Sequence, residues 1–240
     1  MPTPTLVLLH AFPLDSTMWR SQVAGLGDIA KVVALDLPGF GAAPIEDGWS
    51  VDSAADQVAA STVGKIVLGG LSMGGYVAMA FARRHPDRLA GLILADTRSD
   101  PDDVAGKQSR DKLIALTKEY GPSKVYEVMI PKVLCDETRE RRPEIVSEVR
   151  GIAAKQSSAG VIGGLMALRD RPDATPELSK IAVPTLIIVG EHDAVTPPEL
   201  SQVMARHIRG SKVVVIPGAG HLSNIEQPDA FNAAVREFLK

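Results

Sequence analysis

The chain has 240 residues, enough for one large domain or two small ones with a substantial core. Hydrophobic residues make up 45% and charged residues 23%, a balance that excludes disorder, collagen-like repeats and coiled coil. A formal net charge of −3 leaves no basic excess for nucleic acid, and the lone Cys135 excludes an internal disulfide and a Cys-rich metal site. The five histidines are scattered and show no metal-ligand spacing, so neither metal nor cofactor is expected.

The N-terminus has no basic region and no small-residue cleavage site ahead of the apolar run at 6–9. No signal peptide is expected, and the cytoplasm is the expected location. Apolar runs at 5–9, 31–35, 65–68, 89–95, 185–189 and 212–216 are each bounded by turn residues. Most are apolar throughout and do not alternate, as in parallel strands covered on both faces. The uncharged stretch 66–82 touches the length of a membrane span. Gly69, Gly70, Gly74 and Gly75 break it, so it reads as strand, tight turn and helix, with no membrane partner. Helical patterns at 76–84, 199–207 and 229–239 fall between or after the strands, which predicts a doubly wound α/β sheet.

From about Pro101 to Pro176 no strand is predicted. Such a length far exceeds an ordinary crossover. Gly121-Pro122 marks a helix stop and start, and Pro131 and Pro143 punctuate the stretch again. Val161, Leu165 and Leu168, with Ile162 and Met166, fall on one broad helical face. The reading is an insertion of about four short helices, with residues 1–100 and 177–240 as core and 101–176 as cap. Met129, Ile130, Val133, Ile162, Leu165 and Met166 would line an acyl pocket or seat the cap on the core. Arg98, Arg139, Arg141 and Arg142 would meet a substrate carboxylate or form a solvated face.

Gly70-Leu71-Ser72-Met73-Gly74 follows the third strand and opens a helix. A nucleophilic serine held above a sheet needs a sharp turn with no side chains two residues to either side. The helix N-terminus beneath it offers N–H groups to a developing oxyanion. Ser72 is therefore the candidate nucleophile. His221, directly after the last strand, is the candidate base. His85 and His207 read as surface residues, and His10 as support for the loop after the first strand. Asp193, just past the fifth strand, is favoured over Asp96 as the acid that orients His221, because its loop lies nearest His221 in strand order. The chain order Ser72, Asp193, His221 then follows. The loop after the first strand would place the backbone N–H of Phe12 beside that of Met73 as a two-donor oxyanion hole.

These residues resemble the α/β-hydrolase superfamily over essentially the whole chain. Asp36-Leu37-Pro38-Gly39-Phe40-Gly41 resembles its turn after the second strand read here. The segment from Pro217 through His221 to Pro228 is similar to bacterial carboxylesterases and 3-oxoadipate enol-lactone hydrolases. Two departures stand out. His10-Ala11 replaces the usual His-Gly, and the usual N-terminal antiparallel hairpin is lacking, leaving about six strands with an edge at 31–35. The resemblance implies a cofactor-independent serine hydrolase for a small carboxylic ester or lactone. Serine at the turn, where dehalogenases and epoxide hydrolases carry aspartate, argues against those chemistries. The alternatives are a ligand-binding sensor with slow turnover, or C–C bond hydrolysis or perhydrolysis by the same triad. Monomer and homodimer stay open.

Overall fold

The computed structural model describes residues 3–240. Six strands form one sheet: β1 Thr5–Leu9, β2 Lys31–Leu35, β3 Ile66–Leu71, β4 Leu89–Ala95, β5 Thr185–Gly190 and β6 Lys212–Ile216. Their order is β2-β1-β3-β4-β5-β6, and every neighbouring pair is parallel. The uniformly apolar runs have the predicted consequence. β3 and β5 are buried at every residue. Along β1, Val7 and Leu9 join one apolar cluster while Leu6 and Leu8 join another. This two-residue alternation sends successive side chains to opposite faces of the sheet. The two edge strands both begin with lysine, Lys31 and Lys212, which discourages pairing with another chain.

Among the described residues eleven α-helices lie between the strands or follow the last one. They are α1 Arg20–Leu26, α2 Val51–Ser61, α3 Met73–Arg84, α4 Val104–Tyr120, α5 Pro122–Val133, α6 Asp136–Arg141, α7 Pro143–Ala153, α8 Ser158–Arg169, α9 Pro198–His207, α10 Ser223–Glu226 and α11 Pro228–Phe238. α2, α3 and α9 cover the face holding Val7 and Leu9. α1 and α11 cover the other, through Leu26, Phe231 and Val235. The sequence reading assigns neither α1 nor α2. α2 is capped by a reciprocal pair of serines, Ser50 and Ser53, and not by the Ser-x-x-Glu pattern that marks a helix start.

The stretch between β4 and β5 carries five helices, α4 to α8, where about four short ones were expected, and α4 runs for 17 residues. Gly121 and Pro122 separate α4 from α5 as predicted. Pro131 does not interrupt the chain. It lies inside α5, close to the helix end, where few later hydrogen bonds depend on it. The helical stretch has no apolar cluster of its own. Val161, Leu165 and Leu168 of α8 join the cluster of α2 and α3. Tyr126, Ile130 and Val133 of α5 join the opposite cluster, with Ile145 and Val149 of α7.

The two ends of the stretch are stitched together. Arg171, buried, donates to Asp102 Oδ1 at 2.8 Å and to the Asp100 carbonyl at 3.1 Å. Its guanidinium also lies 4.3 Å from the centre of the Tyr76 ring on α3. Gln156 ties the far side down, accepting from Gly41 N–H at 3.0 Å and donating to Asp15 Oδ2 at 2.8 Å. Beside it the α8 backbone meets the loop after β2 directly. A Cβ on Gly160 would stand 1.9 Å from the Gly39 carbonyl oxygen. Gly160→Ala is therefore expected to force the two backbones apart, at a cost of about 1–3 kcal/mol. Thermal melting reads this at roughly 2–4 °C per kcal/mol for a chain of this size.

Candidate active site

Ser72 occupies the turn from β3 into α3 with φ +53° and ψ −110°, a conformation costly for any residue with a side chain. The surroundings enforce it. Ser72 N–H donates to the Ala95 carbonyl at 3.0 Å, and Thr97 Oγ1 donates to the Ser72 carbonyl at 2.9 Å. The flanking glycines have no alternative. A Cβ on Gly70 would lie 2.1 Å from the Gly74 carbonyl oxygen, and one on Gly74 would lie 2.2 Å from that of Leu9. Ser72 itself is half-buried at the N-terminus of α3.

The loop after β1 runs alongside this turn. Gly74 N–H donates to the His10 carbonyl at 3.1 Å, and Ala11 N–H to Met18 Sδ at 3.2 Å. Among the described residues the N–H groups of Phe12 and Met73 are paired with no protein acceptor. His10 supports the loop: its Nε2 accepts from Leu37 N–H at 2.9 Å, and burial pushes its pKa down. Asp36 braces the same region, accepting from Ser16 N–H at 2.7 Å and Ala42 N–H at 2.8 Å. Burial opposes its charge, yet these amides hold its carboxyl below the usual range.

His221 and Asp193 lie beyond β6 and β5, on the same carboxyl edge of the sheet as Ser72, where open α/β sheets meet ligands. His221 Nδ1 is 2.9 Å from Asp193 Oδ2, with both side chains buried. Asp193 also accepts from the N–H groups of Val195 and Thr196, at 2.8 and 2.9 Å, and from Thr196 Oγ1 at 2.7 Å. Burial works against its charge, but His221 and the Thr196 donors outweigh it and hold the carboxyl below its ordinary value. Thr196 was not anticipated from sequence. The signal for it is an aspartate three residues ahead of a threonine in a loop.

Asp96, the rival acid, is placed differently. It lies at the end of β4 with φ +44° and is fully buried. Its Oδ1 accepts from Gly190 N–H at 2.8 Å and its Oδ2 from Ser223 Oγ at 2.5 Å. No hydrogen bond joins it to His221 among the described residues. Burial first, and the Asp193 charge second, raise its pKa well above that of an ordinary aspartate.

The residues expected to line a pocket divide. Leu165 is fully buried in one cluster with Phe12, Phe40 and Met73. Met129 is partly buried against both clusters. Ile162 is half-buried. Val133 packs in the other cluster with Leu222. Met166 is 40% exposed and joins neither cluster. The four arginines are all answered by carboxylates: Arg98 by Asp100, Arg139 by Asp136, Arg141 by Glu137 and Arg142 by Glu144. A cavity of about 310 Å³ opens beside Tyr76, Met79, Arg171 and Ile181, but none of Ser72, Asp193 and His221 lines it. No described helix is long and apolar enough to cross a membrane.

A carboxyl whose folded pKa is raised stabilises the fold below its unfolded value and loses that contribution as pH rises through the folded value. Asp96→Asn keeps an acceptor for Gly190 and can donate to Ser223. Its melting temperature is expected to gain on the parent's as pH rises from about 4, measured by thermal denaturation across a pH series.

Comparison with known proteins gives the family. The model of the alpha/beta hydrolase family matches residues 6–234. Pimeloyl-[acyl-carrier protein] methyl ester esterase of Neisseria meningitidis is 28% identical, over 97% of this chain and 92% of its own. 3-Oxoadipate enol-lactonase 2 of Acinetobacter baylyi is 29% identical, over 99% of this chain and 89% of its own. Among solved structures, a thermophilic esterase from Thermogutta terrifontis with malate bound is 43% identical, with a TM-score of 0.94 over 99% of this chain and 90% of that one. The enol-lactonase from Burkholderia xenovorans is 27% identical with a TM-score of 0.92, over 100% of this chain and 92% of that one. With a parallel six-stranded sheet, a Gly-x-Ser-x-Gly turn and a family match over nearly its whole length, this chain belongs to the alpha/beta hydrolase family.

Proposed function

We propose that the chain hydrolyses small carboxylic esters or lactones through Ser72, His221 and Asp193. One observation carries the reading: a buried His221–Asp193 pair, hydrogen-bonded through His221 Nδ1, on the sheet edge where the strained turn presents Ser72. Esterases and enol-lactonases among the relatives mark the chain as a carboxylic ester hydrolase and narrow the substrate class.

His221 Nε2 takes the Ser72 proton as Oγ attacks the substrate carbonyl carbon. Asp193 holds the imidazole by Nδ1 and stabilises the imidazolium that forms. The unpaired amides of Phe12 and Met73 receive the oxyanion, each such donor being worth about 3 kcal/mol. The C–O bond then breaks, and His221 returns the proton to the leaving alkoxide. A lactone keeps its alkoxide tethered to the acyl group. Water, deprotonated by His221, attacks the acyl carbon, the C–O bond to Ser72 breaks, and His221 returns the proton to Ser72 Oγ as the acid leaves. Asp96 carries no part in these steps.

The stretch 101–176 acts as a cap over this edge, with Leu165 and Met129 nearest the acyl group. Leu165 shares a cluster with Phe12 and Met73, which flank the proposed oxyanion hole.

Steady turnover of p-nitrophenyl acetate tests the reading and separates it from a slow-turnover binder. An organophosphate should label one peptide, that of Ser72, and Ser72→Ala should abolish both labelling and turnover. Asp193→Asn should lose about 10⁴ in turnover, and Asp96→Asn far less. Label elsewhere, or the reverse ranking, overturns the assignment.

For the cap, kcat/KM for acetyl to octanoyl esters should shift its preferred chain length by one or two carbons in Leu165→Ala or Met129→Ala. A methylene is worth about 1–3 kcal/mol of discrimination. Met166→Ala should leave the profile as it is. If all three variants keep the parent profile, the cap residues only pack.

A further inference from the structure

The loop that carries His221 is fastened to the helical stretch as well as to the sheet. Glu226, at the end of α10, is fully buried. Its Oε1 accepts from Gly220 N–H at 2.8 Å, and its Oε2 accepts from Cys135 N–H at 2.9 Å, 91 residues away in sequence. On the other side of His221, Leu222 N–H donates to the Val133 carbonyl at 3.2 Å. Both neighbours of His221 are thus bound to the junction of α5 and α6. The approach is backbone to backbone, since a Cβ on Gly220 would stand 2.7 Å from the Cys135 nitrogen. From the other end of α6, Arg142 Nη1 donates to the Glu226 carbonyl at 2.6 Å.

A fully buried carboxylate is a costly way to fill space, and an apolar side chain would do that without desolvating a charge. No cation pairs with this carboxylate among the described residues. Its two oxygens are spent on two amides from distant segments, which is a directional role. We infer that Glu226 is a positioning residue that sets the His221 loop against the α5–α6 junction, so that the placement of His221 follows the placement of the helical stretch. This rests on the role proposed for His221. Full activity in His221→Ala would overturn that role, whereas the measurements below address the Glu226 clamp.

Glu226→Gln keeps one acceptor oxygen and turns an NH₂ toward the other amide, so one clamp is lost. Glu226→Ala loses both. With p-nitrophenyl acetate, kcat is expected to fall about tenfold in the Gln variant and about 100-fold in the Ala variant, the scale of a misplacement near 1 Å. KM should change less than about threefold, because the clamp touches no substrate. The low-field proton resonance of the His221–Asp193 hydrogen bond should broaden or move in the Gln variant. In the parent protein the amides of Gly220 and Cys135 should be strongly protected from hydrogen exchange, a measurement that needs no variant to fold. Parent-like kcat and an unmoved resonance in folded Glu226→Gln would overturn the inference. Exchange at Gly220 and Cys135 as fast as in exposed loops would overturn it as well.

Discussion

The close approach of α3 to β1 is the constraint on which the rest of this structure depends. With no side chain on Gly74, the helix start lies against the Leu9 backbone, and Gly74 N–H reaches the His10 carbonyl. That contact sets the loop after β1, which carries Phe12, beside the turn after β3, which carries Met73. It also leaves Ser72 a positive φ, held by hydrogen bonds to Ala95 and from Thr97. Strain of this kind persists only where neighbours over-determine it. Here the neighbours are β4 and the segment just after it, so the sheet order itself sustains the turn.

Three buried carboxyls behind this edge differ because their surroundings differ. Asp193 has three hydrogen-bond donors besides a histidine, and its carboxyl is held below its ordinary pKa. Asp96 has one amide and one hydroxyl, lies near the Asp193 charge and is pushed toward its neutral form. Two such groups cannot both be charged cheaply in a low-dielectric interior, and His221 with the Thr196 donors favours the charge on Asp193. Glu226 is satisfied by two main-chain amides instead of a cation.

The helical stretch between β4 and β5 is bound to the rest of the chain on several sides. Arg171 closes its base, Gln156 ties it to two loops, and the α5–α6 junction grips the loop of His221. Its helices complete both apolar clusters of the sheet and build no third one. A lid that moved as a rigid body would have to break these hydrogen bonds, of which those of Gln156 with Asp15 and of Cys135 with Glu226 are buried and cost about 1–3 kcal/mol each to leave unpaired.

The six strands, their parallel sense and the turn at Ser72 were legible in the sequence, since a continuous apolar run between turn residues and a Gly-x-Ser-x-Gly spacing are local signals. Less local features were not. α1 and α2 lacked a readable start, and Pro131 read as a break although it lies in the last turns of α5. Met166 shared a helical face with Leu165 on paper, but 3.6-residue periodicity gives the breadth of a face and not which edge of it meets the core. The preference for Asp193 over Asp96 rested on strand order alone. The hydrogen bonds that distinguish the two acids join residues 28 and 127 positions apart, and that from Cys135 to Glu226 spans 91. The sequence by itself determined which segments are strands and which turn can hold a serine, because those depend on neighbours along the chain. Only the tertiary structure decided which carboxyl stays charged and what holds His221, because those depend on donors brought from distant segments.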